Sequence, residues 1–238
     1  MSIALSFSLA ALLAVIHIWA YKWTFFHNAP KNIWLSFGGG ISVSYVFLDI
    51  LPELHEGQHV LENANILSFL EDHVFLLSLS GLIFFYGLEK LAIKSQSEHE
   101  REDYYPHVFW IHLLSFAIYN MMLGYILHHR EEQSYQKIFF FILAIAAHFI
   151  VNDFGFQKKF RNLYVSKGRW ILALSILCGW MAGALTKISQ SSFVILLAFI
   201  SGGIILNVLK EELPEEKESR FRAFLLGATL NSIALLST

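Results

Sequence analysis

Apolar residues in this chain gather into long runs separated by short charged stretches, and none of the runs alternates with a period of two. A membrane helix needs about 20 mostly apolar residues to cross the hydrocarbon core. Eight runs approach that length: Ile3–Trp23, Ile33–Leu51, Val74–Leu91, Val108–Leu127, Ile138–Phe156, Trp170–Leu185, Ser192–Leu209 and Phe221–Leu236. The sixth and eighth are short and are expected to borrow flanking residues. The four prolines, Pro30, Pro52, Pro106 and Pro214, fall at or near the edges of runs, where a helix tolerates them. The pattern predicts an all-α, polytopic membrane protein of eight helices and argues against a β-barrel. Ile3–Trp23 has no basic residue before its apolar stretch, so it reads as the first membrane helix, not a signal peptide.

Composition agrees. Of 238 residues, 55% are hydrophobic and 15% charged, and 22 are Phe; the mean hydropathy is +0.52. Soluble domains carry about 25% charged residues. These values exclude disorder and a nucleic-acid-binding domain. The single cysteine, Cys178, excludes a disulfide scaffold or a thiolate metal cage.

Charge supplies a direction. Fourteen of the 17 Lys and Arg residues follow spans 1, 3, 5 and 7, and only Arg130, Lys137 and Lys187 lie on the other side. By the positive-inside rule the first set of loops is cytoplasmic and both termini lie outside, as in a multi-pass protein of a cell (inner) membrane. The segment after span 2 (Glu53, Glu56, Glu62, Glu71, Asp72) reads as an acidic outer loop. Lys94–Pro106, with His99, reads as a solvated cytoplasmic linker.

Spans 2 and 7 echo one another. Shifting the sequence by 162 residues places Gly40 on Gly202, Asp49 on Glu211, Leu51 on Leu213, Pro52 on Pro214 and Glu53 on Glu215. The two spans lie five crossings apart and so run in opposite directions, the mark of an inverted-topology repeat. Residues 1–238 are thus expected to form one transmembrane domain. Helices 1–3 (3–91) and 6–8 (170–236) would be the repeats, around a central pair, helices 4 and 5 (108–156). Such a plan points to transport, with a site where the central pair meets the repeats.

Ionisable groups inside a bilayer are costly, and each is a functional candidate. Span 5 carries His148, Asn152 and Asp153. At about 100° per residue, His148 and Asn152 share a face and Asp153 points roughly 140° away from His148. Span 4 carries His112, Ser115 and Tyr119 at i, i+3 and i+7, with Asn120 beside them. Facing stripes could line a shared polar cavity; the alternative is ordinary interhelical hydrogen bonding. Asp49 is a further candidate. His17 stands alone on span 1 and reads as a packed histidine. His128 and His129 read as loop residues, and Glu89, Lys90, Lys210 and Glu211 as interfacial ones. Gly38, Gly39 and Gly40 read as helix-packing positions, since no GxGxxG or Walker pattern follows them.

The segments Gly39-Gly40 with Phe47-Leu48-Asp49-Ile50-Leu51-Pro52-Glu53, Gly81 through Glu89-Lys90, and Gly202-Gly203 through Leu213-Pro214-Glu215 resemble the second, third and seventh helices of the ZIP (Zrt/Irt-like) metal-ion transporters. The resemblance implies eight spans, outward termini, a 3+2+3 inverted repeat, and movement of a divalent metal ion toward the cytoplasm. It departs at the metal motifs. On helix 4 the family's His-x-x-x-acid is here Ser115 and Tyr119. On helix 5 the family's His-Glu-x-x-His/Glu-Glu is His148-Phe149-Ile150-Val151-Asn152-Asp153.

The metal-ligand set this implies is His148, Asn152, Asp153, Tyr119, Asn120, His112 and Ser115, with Asp49 and Glu211 along the ion pathway. An oxygen-rich set shifts preference toward harder ions such as Mn²⁺. No permanent cofactor is expected, only a transported divalent ion such as Zn²⁺. The expected partners are the lipid bilayer and that ion, and a homodimer is left open. The competing reading is a ZIP-like membrane protein that has lost metal transport and serves an interaction or regulatory role, or carries another solute. An intramembrane hydrolase is disfavoured, because the eleven histidines are scattered and no H-E-x-x-H occurs. The chain is therefore not read as an enzyme.

Overall fold

In hydrocarbon no water is at hand for backbone N–H and C=O groups, so a chain this apolar must satisfy them within its own helices. The computed structural model describes residues 2–22, 31–64, 73–97, 106–130, 135–212 and 220–237. Among them the fold is all-α, with eight helices: α1 (Ile3–Trp19), α2 (Lys31–Tyr45, continued through a wide turn at Val46–Ile50 into Leu51–Asn63), α3 (His73–Ser97), α4 (Pro106–His129), α5 (Tyr135–Leu163), α6 (Arg169–Leu185), α7 (Gln190–Asn207) and α8 (Phe221–Leu236). Six of them, α2 to α7, are long and apolar enough to cross a membrane; α1 and α8 are apolar but shorter. The chain is a multi-pass membrane protein on this evidence.

Local chemistry sets several boundaries. Ser2 caps α1 by accepting from Leu5 N at 3.3 Å, and Ser189 caps α7 by accepting from Ser192 N at 3.1 Å. Pro106 opens α4, where its missing N–H is not needed.

Three sequence expectations are corrected. The second helix does not stop at Leu51. It opens into a π turn at Val46–Ile50 and continues to Asn63, so Glu53, Glu56 and Glu62 are helical and not in a loop. Pro52 stands in the first turn after the π turn, where its absent donor interrupts nothing. The segment between the fifth and sixth spans is also helical: α5 runs to Leu163 with a break at Phe160 (φ −139°, ψ 43°), and a π turn at Tyr164–Gly168 joins it to α6. His128 and His129 form the last turn of α4. Pro30, Glu71, Asp72, His99, Leu213, Pro214 and Glu215 lie outside the described residues.

Glycines carry the packing, and they do so twice. α2 crosses α8 with Gly40 against the carbonyl of Phe224 and the amide of Ala228, while Gly227 lies against the carbonyl of Phe37. α7 crosses α3 with Gly202 against the carbonyl of Ser78 and the amide of Leu82, while Gly81 lies against the carbonyl of Phe199. Residues 37 and 40 become 199 and 202 by the shift of 162 found in the sequence. Residues 224, 227 and 228 lie 146 positions after 78, 81 and 82. The π turn at Val46–Ile50 falls, after the same 162 residues, on a second π turn at Val208–Glu212. A side chain at any of these four glycines would overlap backbone, which is why only glycine fits. Gly38, by contrast, has no neighbour within 4 Å, so the close-packing expectation holds for Gly40 and not for Gly38.

Candidate functional site in the central helix pair

α5 presents two polar faces, and they look in different directions. On one, Asn152 Nδ2 donates to His148 Nε2 at 2.8 Å, both residues buried. The i, i+4 spacing produces this contact directly. The Tyr119 ring from α4 lies 5.3 Å from the His148 ring, also buried.

On the other face is Asp153, wholly buried. Both of its carboxylate oxygens accept from His17 Nδ1 at 2.9 Å. His17 Nε2 in turn accepts from Asn120 Nδ2 at 2.9 Å, and Phe149 stacks on the imidazole at 4.2 Å. Asn120 reaches the Leu172 carbonyl at 3.4 Å, and the Tyr164 hydroxyl donates to the His17 carbonyl at 3.2 Å. This network ties α1, α4, α5, α6 and the turn after α5 together. A buried charge is tolerable only when paired in this way.

The expected metal-ligand set therefore divides. His148, Asn152 and Tyr119 meet on one side of α5; Asp153 and Asn120 are engaged with His17 on the other. His112 and Ser115 join the first group by lining, with Tyr119 and Asn152, a cavity of about 70 Å³. The cavity lies between helices 4 and 5, with Phe116 and Phe156 among its walls beside the polar side chains and with His148 outside it. Its walls include Phe85 and Glu89 of α3, Gly155, Lys159 and Phe160 of α5, and Asn207 of α7. Among the described residues no three His, Cys, Asp or Glu side chains converge in a way that could hold a metal ion.

A second, much smaller space of about 10 Å³ adjoins Tyr119 and His148 and is walled by Ser42, Tyr45, Ala144, Ile145, Ile204 and Val208. A third, of about 260 Å³, lies at the opposite end of the bundle between α2, the end of α4 and the start of α7, and is lined by Glu53, Glu56, His129 and Arg130 among others. Arg130 lines the third cavity and neighbours Tyr45, which walls the second. It is buried, with Nη2 3.0 Å from Glu53 and 3.7 Å from Asp49, and its guanidinium lies 4.4 Å from the Phe141 ring. Asp49 is thus an ion-pair partner. Glu211 stands in the wide turn Val208–Glu212, and its side chain lies outside the described residues. Glu89 and Lys210, expected at the interface, form an ion pair that joins α3 to α7.

Two residues of this interior were not visible in the sequence as site residues. His17 lies 136 positions from Asp153, and no local spacing links them. Arg130 counted only as an outer-loop charge. The one available signal was cost: a histidine deep in an apolar run needs a partner somewhere.

Comparison with models of known protein families gives no match, and no curated protein sequence matches this chain significantly.

Proposed function

We propose that this chain is a ZIP-like secondary transporter with a 3+2+3 inverted repeat, moving a divalent metal ion toward the cytoplasm between α4 and α5. The observation that carries the reading is the doubled register of packing. Glycines 40 and 202, 81 and 227, and the two π turns repeat at fixed offsets in helices that would cross the membrane in opposite senses. Two like units of opposite sense can rock about a midplane site. The site would lie where the cavity between the central helices, walled by Asn152, Tyr119, His112 and Ser115, approaches the small space at His148, the imidazole ligand, with Tyr119 lining both. Glu89 and Lys159 mark its cytoplasmic mouth if the cation-rich loops face inward. No nucleotide motif is present, so the ion gradient would drive the movement.

The test is flux. Purified protein in vesicles should show saturable uptake of at least one of Zn²⁺, Mn²⁺, Fe²⁺ or Cd²⁺, and His148→Ala should reduce it by about tenfold or more, since losing even a partner of a metal ligand costs about that much. Undiminished saturable uptake in that variant would remove His148 from the site.

One observation favours the second reading, a ZIP-like protein that no longer carries metal: the described interior offers no three converging ligands, where a Zn²⁺ site takes three or four. Metal content of the purified protein separates the two. Stoichiometric metal lost in His148→Ala supports transport of metal; a metal-free protein without flux of any of the four ions supports an interaction role or another solute.

A further inference from the structure

Arg130 is the only buried Lys or Arg among the described residues, and it connects the lining of one cavity to Tyr45 in the wall of another. On its outer side lies the 260 Å³ cavity, which it lines with Glu53. On its inner side Tyr45 walls the small space that reaches His148. Asp49 and Glu53, one turn apart on α2, both face the guanidinium, at 3.7 and 3.0 Å. Asp49 also meets the Tyr45 hydroxyl, while its Oδ2, 3.7 Å from the guanidinium, is buried without a hydrogen bond among the described residues. Phe141 backs the guanidinium on the other side.

We propose that Arg130 is the outer gate of the pathway, closed in this structure, and that an incoming divalent cation opens it by taking Asp49 and Glu53 away from the guanidinium. The inference rests on the transport reading above for its direction, though not for the closure itself. The physical logic is substitution of one cation by another. While Arg130 holds α2 against the end of α4, its single charge is shared between two carboxylates and the route from the outer cavity to Tyr45 and His148 is shut. A divalent ion satisfies both carboxylates with twice the charge of the arginine, and a direct oxygen contact at Asp49 would replace one of 3.7 Å. The freed guanidinium retains its place over Phe141 by stacking on the ring, so that the latch closes again behind the ion.

The closure can be read without measuring transport. In a Cys178→Ser background, Ser42→Cys places a thiol in the small space inside the latch. Labelling from outside by a membrane-impermeant methanethiosulfonate, in vesicles of uniform outside-out orientation, reports whether the route is open. Arg130→Gln should speed labelling by about tenfold or more, the effect of removing a contact worth about one decade in equilibrium. The double variant Asp49→Asn/Glu53→Gln should do the same with Arg130 in place, which keeps the test open if Arg130→Gln fails to fold. External Mn²⁺, a hard ion with little affinity for the reporter thiol, should speed labelling in the Arg130 protein and have no effect in the double variant.

Unchanged labelling in the latch variants that fold would overturn the gate, as would an Mn²⁺ effect that survives loss of both carboxylates. Failure of the two readings is separable. Flux without any change in Ser42→Cys access removes the gate and leaves transport standing. A latch that opens as described, in a protein with no flux, removes transport and leaves the latch.

Discussion

The segments α1–α3 and α6–α8 cross one another through glycines at matching offsets but attach to α4 and α5 by different means. Their crossings match residue for residue: Gly40 and Gly227 at α2·α8, Gly202 and Gly81 at α7·α3. Their anchors do not match. α6 docks on α4 through small residues, with Gly124 against the Ile176 carbonyl and Gly179 against that of Met121. α1 docks on α5 through the buried His17–Asp153 pair. Backbone contact has been kept on both sides, and ionisable chemistry sits on one. Even the equivalent positions 85 and 231 differ: Asn231 donates to Ser44 Oγ at 2.8 Å, while Phe85 packs on Phe199 and Tyr119 at 5.9 Å.

The largest effect is expected at the polar anchor. Asp153→Ala leaves His17 with no carboxylate in a dry interior and should lower stability by about 3–5 kcal/mol, the usual result of halving a buried pair. Reversible unfolding of the purified protein in mixed detergent measures it. An effect no larger than that of an exposed carboxylate would mean that the two anchors are energetically alike.

The doubled crossings offer a sharper test, since equivalent positions should respond equally. Gly40→Ala and Gly202→Ala should each cost about 1–3 kcal/mol or more through overlap with backbone. Gly38→Ala and Gly87→Ala, with nothing within 4 Å, should stay within about 0.5 kcal/mol of the parent. A large gap between Gly40→Ala and Gly202→Ala would break the equivalence.

The smallest effect concerns how the shared scaffold is filled. Asn231→Leu removes an interhelical hydrogen bond, a type that averages about 0.6 kcal/mol inside membrane proteins. Phe85→Leu loses ring contacts worth about 0.5–1.5 kcal/mol per aromatic pair. Phe85→Leu should therefore cost slightly more, and the same unfolding assay ranks the two.

Much of this architecture was legible in the sequence because bilayer physics leaves few options. Apolar length marks helices, and the echo of Gly40 at Gly202 picks out two positions that both stand at close helix crossings. His148 and Asn152 were assigned one face, and Asp153 another, from angular spacing alone, and the contacts agree. What escaped were features that depend on distant partners. Pro52 read as a stop because a local rule cannot see the π turn that lets the helix pass it. His17 read as packing because its partner is 136 residues away. Arg130 counts in the sequence only as an outer-side charge, because sequence gives charge but not depth.

The π turn at Val46–Ile50 also sets phase. A wide turn holds one more residue than an α turn, so everything beyond it is rotated by roughly 100° relative to an unbroken helix. Asp49 and Glu53 are i and i+4 and share a face, which both turn to the same guanidinium. What the extra residue sets is the bearing of that face relative to Gly40 and the crossing with α8. Removing a single residue from Val46–Ile50 would keep the helix and its hydrophobicity, but would swing Glu53 and Leu54 off that bearing together.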